Sequence, residues 1–93
     1  MSRTVLKLYV AGRTTRSERA IRNLRLICRE SAEEDVEVVI IDVLEHPRLA
    51  EVSRISAAPT VVREDPAPAR RVVGDLVDST GVIEGLGLRS HRA

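Results

Sequence analysis

Apolar and polar positions fall into short blocks whose period changes along the chain. Val5-Leu6-Lys7-Leu8-Tyr9-Val10 is β-branched, apolar or aromatic except at Lys7, which predicts a mostly buried strand. Ala11-Gly12 ends it. From Arg16 to about Glu30, Ala20, Ile21, Leu24, Ile27 and Cys28 recur at helical spacing and form one apolar stripe, with Arg19, Arg22, Arg25 and Arg29 on the opposite side. Thr15 followed by Glu18 fits a capping box, and Thr14 fits the cap equally well. Leu26 lies among the arginines and reads as an ordinary lone surface leucine. Residues 36–43 form a second strand, more apolar and therefore expected to be more central than the first. Strand, helix and strand over about forty residues make a βαβ unit with a parallel pair and a right-handed crossover.

Past residue 45 the pattern weakens. His46-Pro47 opens a short helix with Pro47 at its first position, and Leu49, Ala50, Val52 and Ile55 give it an amphipathic pattern. Ala58-Pro59-Thr60-Val61-Val62 predicts an edge strand entered through proline. Asp65-Pro66-Ala67-Pro68 predicts a turn or extended linker. Arg70-Arg71-Val72-Val73-Gly74-Asp75 predicts a strand closing a hairpin with the 60s. Ser79 or Thr80 is the expected cap of a last helix through Val82, Ile83, Leu86 and Leu88. Gly81, Gly85 and Gly87 weaken that helix, because an interior glycine costs about 1 kcal/mol against alanine, so only packing holds it. The order β-α-β then α-β-β-α is an α/β, thioredoxin-like arrangement, with Pro59 where that fold usually has a cis-proline.

Composition narrows the function classes. A chain of 93 residues, 43% apolar and 31% charged, holds one domain and is not compositionally disordered. It has no apolar run long enough to cross a bilayer, and Met1-Ser2-Arg3-Thr4 leads into strand-like alternation rather than a signal peptide, so the expected location is cytoplasmic with no membrane partner. A single cysteine excludes an internal disulfide, a two-cysteine redox pair and a cysteine zinc site. Cys28, at the far end of the helix and on its apolar stripe, reads as a small core residue rather than an accessible thiolate. Tyr9 is the only aromatic residue, which argues against binding single-stranded nucleic acid by base stacking.

The net charge of +1 conceals an asymmetry. Through residue 31 there are eight basic residues against Glu18 and Glu30 alone, and the acidic run Glu33-Glu34-Asp35 with Glu37 follows at once. A dipolar surface suits steering toward a charged protein partner, and it is not the uniformly basic footprint of a DNA binder. Chemistry finds little support. Gly85-Leu86-Gly87 is too short for a phosphate loop. His46 and His91 lack ligand-spaced companions, and no Ser/His/Asp set presents itself. Asp42, at a strand end, reads as a cap or loop residue for the turn at 44–47. Arg70 and Arg71 alternate across a strand, so at most one faces a given surface. The arginines of the first helix read as a solvated face. A binding domain, with no cofactor and no metal, is the expectation.

Val5-Leu6-Lys7-Leu8-Tyr9-Val10-Ala11-Gly12, Ile41-Asp42-Val43-Leu44 with Pro47 and Leu49-Ala50, Ala58-Pro59-Thr60, and Arg70-Arg71-Val72-Val73-Gly74-Asp75-Leu76 closely resemble the KaiB family of circadian clock proteins, without gaps from about Val5 to Leu88. The resemblance implies a metamorphic protein. Such proteins rest as dimers or tetramers in a ground-state fold of their own, and visit a monomeric thioredoxin-like fold that binds the N-terminal ATPase ring of KaiC. It divides the single domain, residues 1–93, into a constant βαβ half, residues 1–46, and a fold-switching half, residues 47–93. A KaiC-like ATPase/kinase is the implied partner, and clock histidine kinases, whose sensor domains are related, compete for the same surface.

The weak signals of the second half fit two packings separated by a few kcal/mol. Interconversion would be slow if Pro59, Pro66 or Pro68 had to change isomer. Gly85 and Gly87 complete the implied fold-switching set. Arg54 and Arg63 stand where the family usually has lysines in its partner-binding region, and Arg19, Arg70 and Arg71 match family arginines. Together they form the implied docking set for an acidic-rimmed site on the ATPase. Some positions depart from the family. Glu64-Asp65 replace two apolar residues, so a fold burying that segment is disfavoured and the thioredoxin-like form is expected to lead. Val39 replaces a common lysine, and Gly87 a frequent aspartate that tunes the switch. Residues 88–93 are short and basic instead of an acidic tail. Two other expectations stand beside the clock reading: a KaiB-like stress-response or kinase-input binding module without an oscillator, and, further down the order, a thioredoxin-like redox protein.

Overall fold

In a computed structural model, which describes residues 3–91, the elements follow the order that the periodicity predicts. They are β1 (Thr4–Val10), α1 (Thr15–Glu30), β2 (Val36–Asp42), α2 (Pro47–Val52), β3 (Thr60–Asp65), β4 (Arg70–Val73) and α3 (Ser79–Gly85). The sheet order is β2-β1-β3-β4, with β2 parallel to β1 and the other two pairings antiparallel. This is the expected thioredoxin-like α/β fold with a mixed sheet. The peptide bonds before Pro59, Pro66 and Pro68 are cis.

The alternation of β1 assigns its two faces. Leu6, Leu8 and Val10 pack with Ala20, Leu24 and Ile27 of α1, and with Val82, Ile83 and Leu86 from the α3 region, in the main core. Burying each large aliphatic chain there contributes about 1.5–3 kcal/mol. Tyr9 points to the other face and packs with Ile41 and Val62, flanked by Val39, Val43 and Ile55.

The strand ranks differ from the expectation. β2 is an edge strand and β3, expected at the edge, lies between β1 and β4. On β2 only Ile41 is buried, and Val38 and Ile40 are 38% and 42% exposed. On β3 the first four residues, Thr60 to Arg63, are buried. Pro59 precedes the strand and so takes no donor out of its ladder. In β2, apolar residues on both faces reflect two partly covered surfaces rather than a central place.

Caps also shifted. Thr14, not Thr15, caps α1: its hydroxyl accepts from the Ser17 amide at 3.0 Å and its carbonyl from the Glu18 amide at 3.0 Å. Asp78, not Ser79 or Thr80, caps α3 by accepting from the Gly81 amide at 3.1 Å, while the Ser79 hydroxyl donates to Glu30. An ideal Cβ on Gly81 would lie 2.5 Å from the Asp78 carboxylate, so this cap needs glycine there. The α2 pattern misleads as well. The helix has no buried residue, and Val52 is 76% exposed, because at six residues it lies over the sheet without reaching the core. The expected signal-free start at residues 1–2 and the end of the basic tail at residues 92–93 lie outside the described residues. Among the described residues no helix is long and apolar enough to cross a membrane.

Candidate partner-binding surface

The five arginines singled out in the sequence occupy three places. Arg19 projects from α1 and its guanidinium lies 3.3 Å from the Asp75 carboxylate, with both groups partly exposed. The neighbouring Asn23 amide holds the Asp75 carbonyl at 2.8 Å, so α1 and the segment after β4 are joined at two points. Arg54 and Arg71 meet on the sheet face that carries α2. Arg54 follows the end of α2 in a left-handed turn, φ 55°. Arg71 reaches over from β4, donating to the Arg54 carbonyl at 2.9 Å and the Ser53 carbonyl at 2.8 Å.

Arg63 and Arg70 pair across β3 and β4 and share the opposite face. Arg70 is exposed, but Arg63 is only 8% exposed. The Arg63 guanidinium donates to the Pro68 carbonyl at 2.6 Å and the Gly87 carbonyl at 3.2 Å. Its Nε has no partner. In this fold, therefore, Arg63 joins the β3–β4 turn to the segment after α3 and is not a surface cation. Gly87 has φ +64° and sits over this group: a Cβ there would lie 2.8 Å from Arg63 Nη1. Gly85 abuts β4, with an ideal Cβ 2.9 Å from Val72 Cγ2. The expected alternation of Arg70 and Arg71 holds, and it sends them to different faces.

Acidic groups complete the charge map. Glu64 and Asp65 are exposed, and Glu64 lies 2.8 Å from Lys7 Nζ. That hydrogen bond raises the Lys7 pKa above its ordinary value of 10.5. Arg3 holds Asp35 at 3.1 Å and Glu37 at 3.3 Å. An open cleft of about 370 Å³ beside Arg63 is lined by both signs of charge, Glu33, Glu34 and Asp35 against Arg63 and Arg89. Within it Glu33 already accepts from the Thr4 hydroxyl and the Arg89 amide. Asp42 is the loop residue expected: one carboxylate oxygen accepts from the Gly12 amide at 3.0 Å and the Leu44 amide at 2.9 Å, tying the β1–α1 and β2–α2 connections together. Cys28 is half-buried against the main core, and burial pushes its thiol up, the reverse of what thiol exchange needs. Among the described residues no cluster of His, Cys, Asp or Glu is arranged to hold a metal.

Leu26 is exposed as expected, but the sequence reading missed the exposed apolar residues at α2. Leu44, which precedes α2, and Leu49 and Val52, which lie on it, are all exposed. The available signal was the brevity of α2, since six residues, fewer than two turns, cannot bury a full stripe. It also missed the bond between the Tyr9 and Ser53 hydroxyls at 2.8 Å, a pairing across 44 positions that no local pattern announces.

Three comparisons place these features. The KaiB domain matches residues 7–88. The chain is 41% identical over 88 residues to the circadian clock protein KaiB3 of Synechocystis, covering 95% of this chain and 86% of that one. It is 45% identical over 84 residues to the circadian clock oscillator protein KaiB of Microcystis aeruginosa, covering 90% and 81%. In structure it is similar to the N-terminal domain of SasA from Synechococcus elongatus, with TM-score 0.74, 19% identity, and coverage of 90% of this chain and 80% of that one. It is also similar to mitochondrial thioredoxin 3 from Saccharomyces cerevisiae, with TM-score 0.71, 21% identity, and coverage of 94% and 79%. At these identities the structural likenesses speak for the fold alone, and the sequence matches carry the assignment: the chain belongs to the KaiB family of circadian clock proteins.

Proposed function

We propose that this chain is a non-enzymatic regulatory protein that docks on a KaiC-like ATPase/kinase ring in the cytoplasm, and that residues 47–93 change fold to reach the docking form. The observation that supports it is a conjunction. A KaiB-family sequence adopts the thioredoxin-like fold, the form in which the family resemblance has docking occur. Docking acts by population shift: the ATPase binds the thioredoxin-like form better than the ground-state dimer or tetramer. Moving the ratio of forms from 1:99 to 99:1 requires about a 10⁴-fold preference.

In this form Arg54 is the docking cation on the α2 face, while Arg70, on the opposite face, and Arg19, in a weak exposed pair with Asp75, lie outside that patch. Leu44, Leu49 and Val52, exposed on α2 and just before it, supply its apolar contacts. Arg63 and Arg71 serve by building the surface rather than by touching the partner.

Fluorescence anisotropy with a KaiC-type ATPase from the same cell tests the reading. The parent chain binds, and Arg54→Glu weakens binding about tenfold or more. Unchanged affinity for that variant removes Arg54 from the surface, and a parent chain that binds no KaiC-type ring removes the proposal. The family match is equally compatible with a second reading, a stress-response or kinase-input module without an oscillator. Capture of a histidine kinase and not of an ATPase ring in a pull-down decides for it.

A further inference from the structure

We infer that Arg71 is a clasp that fastens α2 to the sheet and decides whether residues 47–55 stay ordered in the thioredoxin-like form. The helix cannot hold itself. It has six residues and none of them is buried, and helices this short are unstable alone in water. Its apolar side chains do not anchor it either, since Leu49 and Val52 face solvent. What ties this stretch to the sheet is one apolar contact, Ile55 against the Tyr9 cluster, and polar bonds at the helix end.

Those bonds converge on two consecutive residues. Tyr9 of β1 shares a hydrogen bond with the Ser53 hydroxyl at 2.8 Å. Arg71 of β4 donates one guanidinium nitrogen to the Ser53 carbonyl at 2.8 Å and the other to the Arg54 carbonyl at 2.9 Å. Carbonyls at a helix end have no donor within the helix, and the left-handed turn at Arg54, φ 55°, ends this one at those two carbonyls. A planar fork with two donors suits a pair of carbonyls. A lysine would bring the same charge on a single nitrogen. Arg71, though exposed, thus directs its guanidinium to its own chain, and the inference rests on the fold without requiring any docking partner.

Amide hydrogen exchange on the full chain, followed residue by residue, tests the clasp. The amides of Ser53, Arg54 and Ile55 report on α2, because they donate to Leu49, Glu51 and Ala50. In Arg71→Ala they exchange about tenfold faster than in the parent, and in Arg71→Lys by less, while the β1 and β3 amides keep their rates. Where the alanine variant does not fold, the lysine variant is read alone. Exchange of those three amides at the parent rate overturns the inference. So does a rise in step with β1, which would mean that Arg71 stabilises the whole domain rather than α2.

Discussion

Replacing Gly87 with alanine probes the contact between the end of the chain and the buried Arg63. Two costs add. At φ +64° a Cβ costs about 1.5 kcal/mol, and the lower flexibility of unfolded alanine offsets about 0.7 of that, leaving about 1 kcal/mol. The Cβ also lies 2.8 Å from Arg63 Nη1, which is too close. The end of an arginine is normally free to move aside, but this one is buried and held at Pro68 and Gly87. Moving it breaks the 3.2 Å bond to the Gly87 carbonyl, a further cost of about 1.5 kcal/mol. Gly87→Ala is therefore expected to destabilise the domain by about 2.5 kcal/mol in urea unfolding followed by circular dichroism, with gel filtration confirming the same oligomer. In an Arg63→Met background the clash is gone, and the same substitution should cost only about 1 kcal/mol. Equal costs in the two backgrounds would refute the coupling.

The remaining expectations are simpler. Thr14→Ala lowers stability by about 1 kcal/mol and Thr15→Ala by less than about 0.5, read as urea midpoints; equal effects would displace the cap from Thr14. The Lys7–Glu64 pair raises the lysine pKa, so its stabilisation is complete at neutral pH and fades as pH rises past about 10.5. Both groups are partly exposed, so the effect stays below about 1 kcal/mol, and Glu64→Gln should abolish that alkaline dependence in a titration of stability. Cys28, half-buried and with its thiol raised, should react with iodoacetamide at neutral pH about tenfold more slowly than in the unfolded chain; equal rates would place the thiol at the surface.

The element order was legible in the sequence because hydrophobic period and turn residues are local. The α1 stripe, the β1 alternation and the Asp42 turn all came through for that reason. Sheet order was not legible in the same way. The apolarity of Val38 and Ile40 looked central, and the proline at position 59 made β3 look peripheral. Neither reading could foresee that Arg63 would be buried by donating to carbonyls contributed by residues 68 and 87. The docking set failed to gather for a related reason. Spacing along β4 separates Arg70 from Arg71, but only the register with β3 says that one joins Arg63 and the other Arg54. Capping was ambiguous at single-residue resolution, since Thr14 and Thr15 offer the same hydroxyl.

The place of β1 in the sheet carries a consequence of its own. It is hydrogen-bonded along its length to β2, from within its own half of the chain, and along most of it to β3, from the other half. That second seam is the boundary between the halves. Drawing β3 away would strip one flank of β1 and open the layer holding Leu6 and Leu8 to water. A rearranged back half would have to re-cover that layer, or a neighbouring copy would have to lend the missing cover. Any form that borrowed such cover from a neighbour would therefore be favoured by a higher protein concentration.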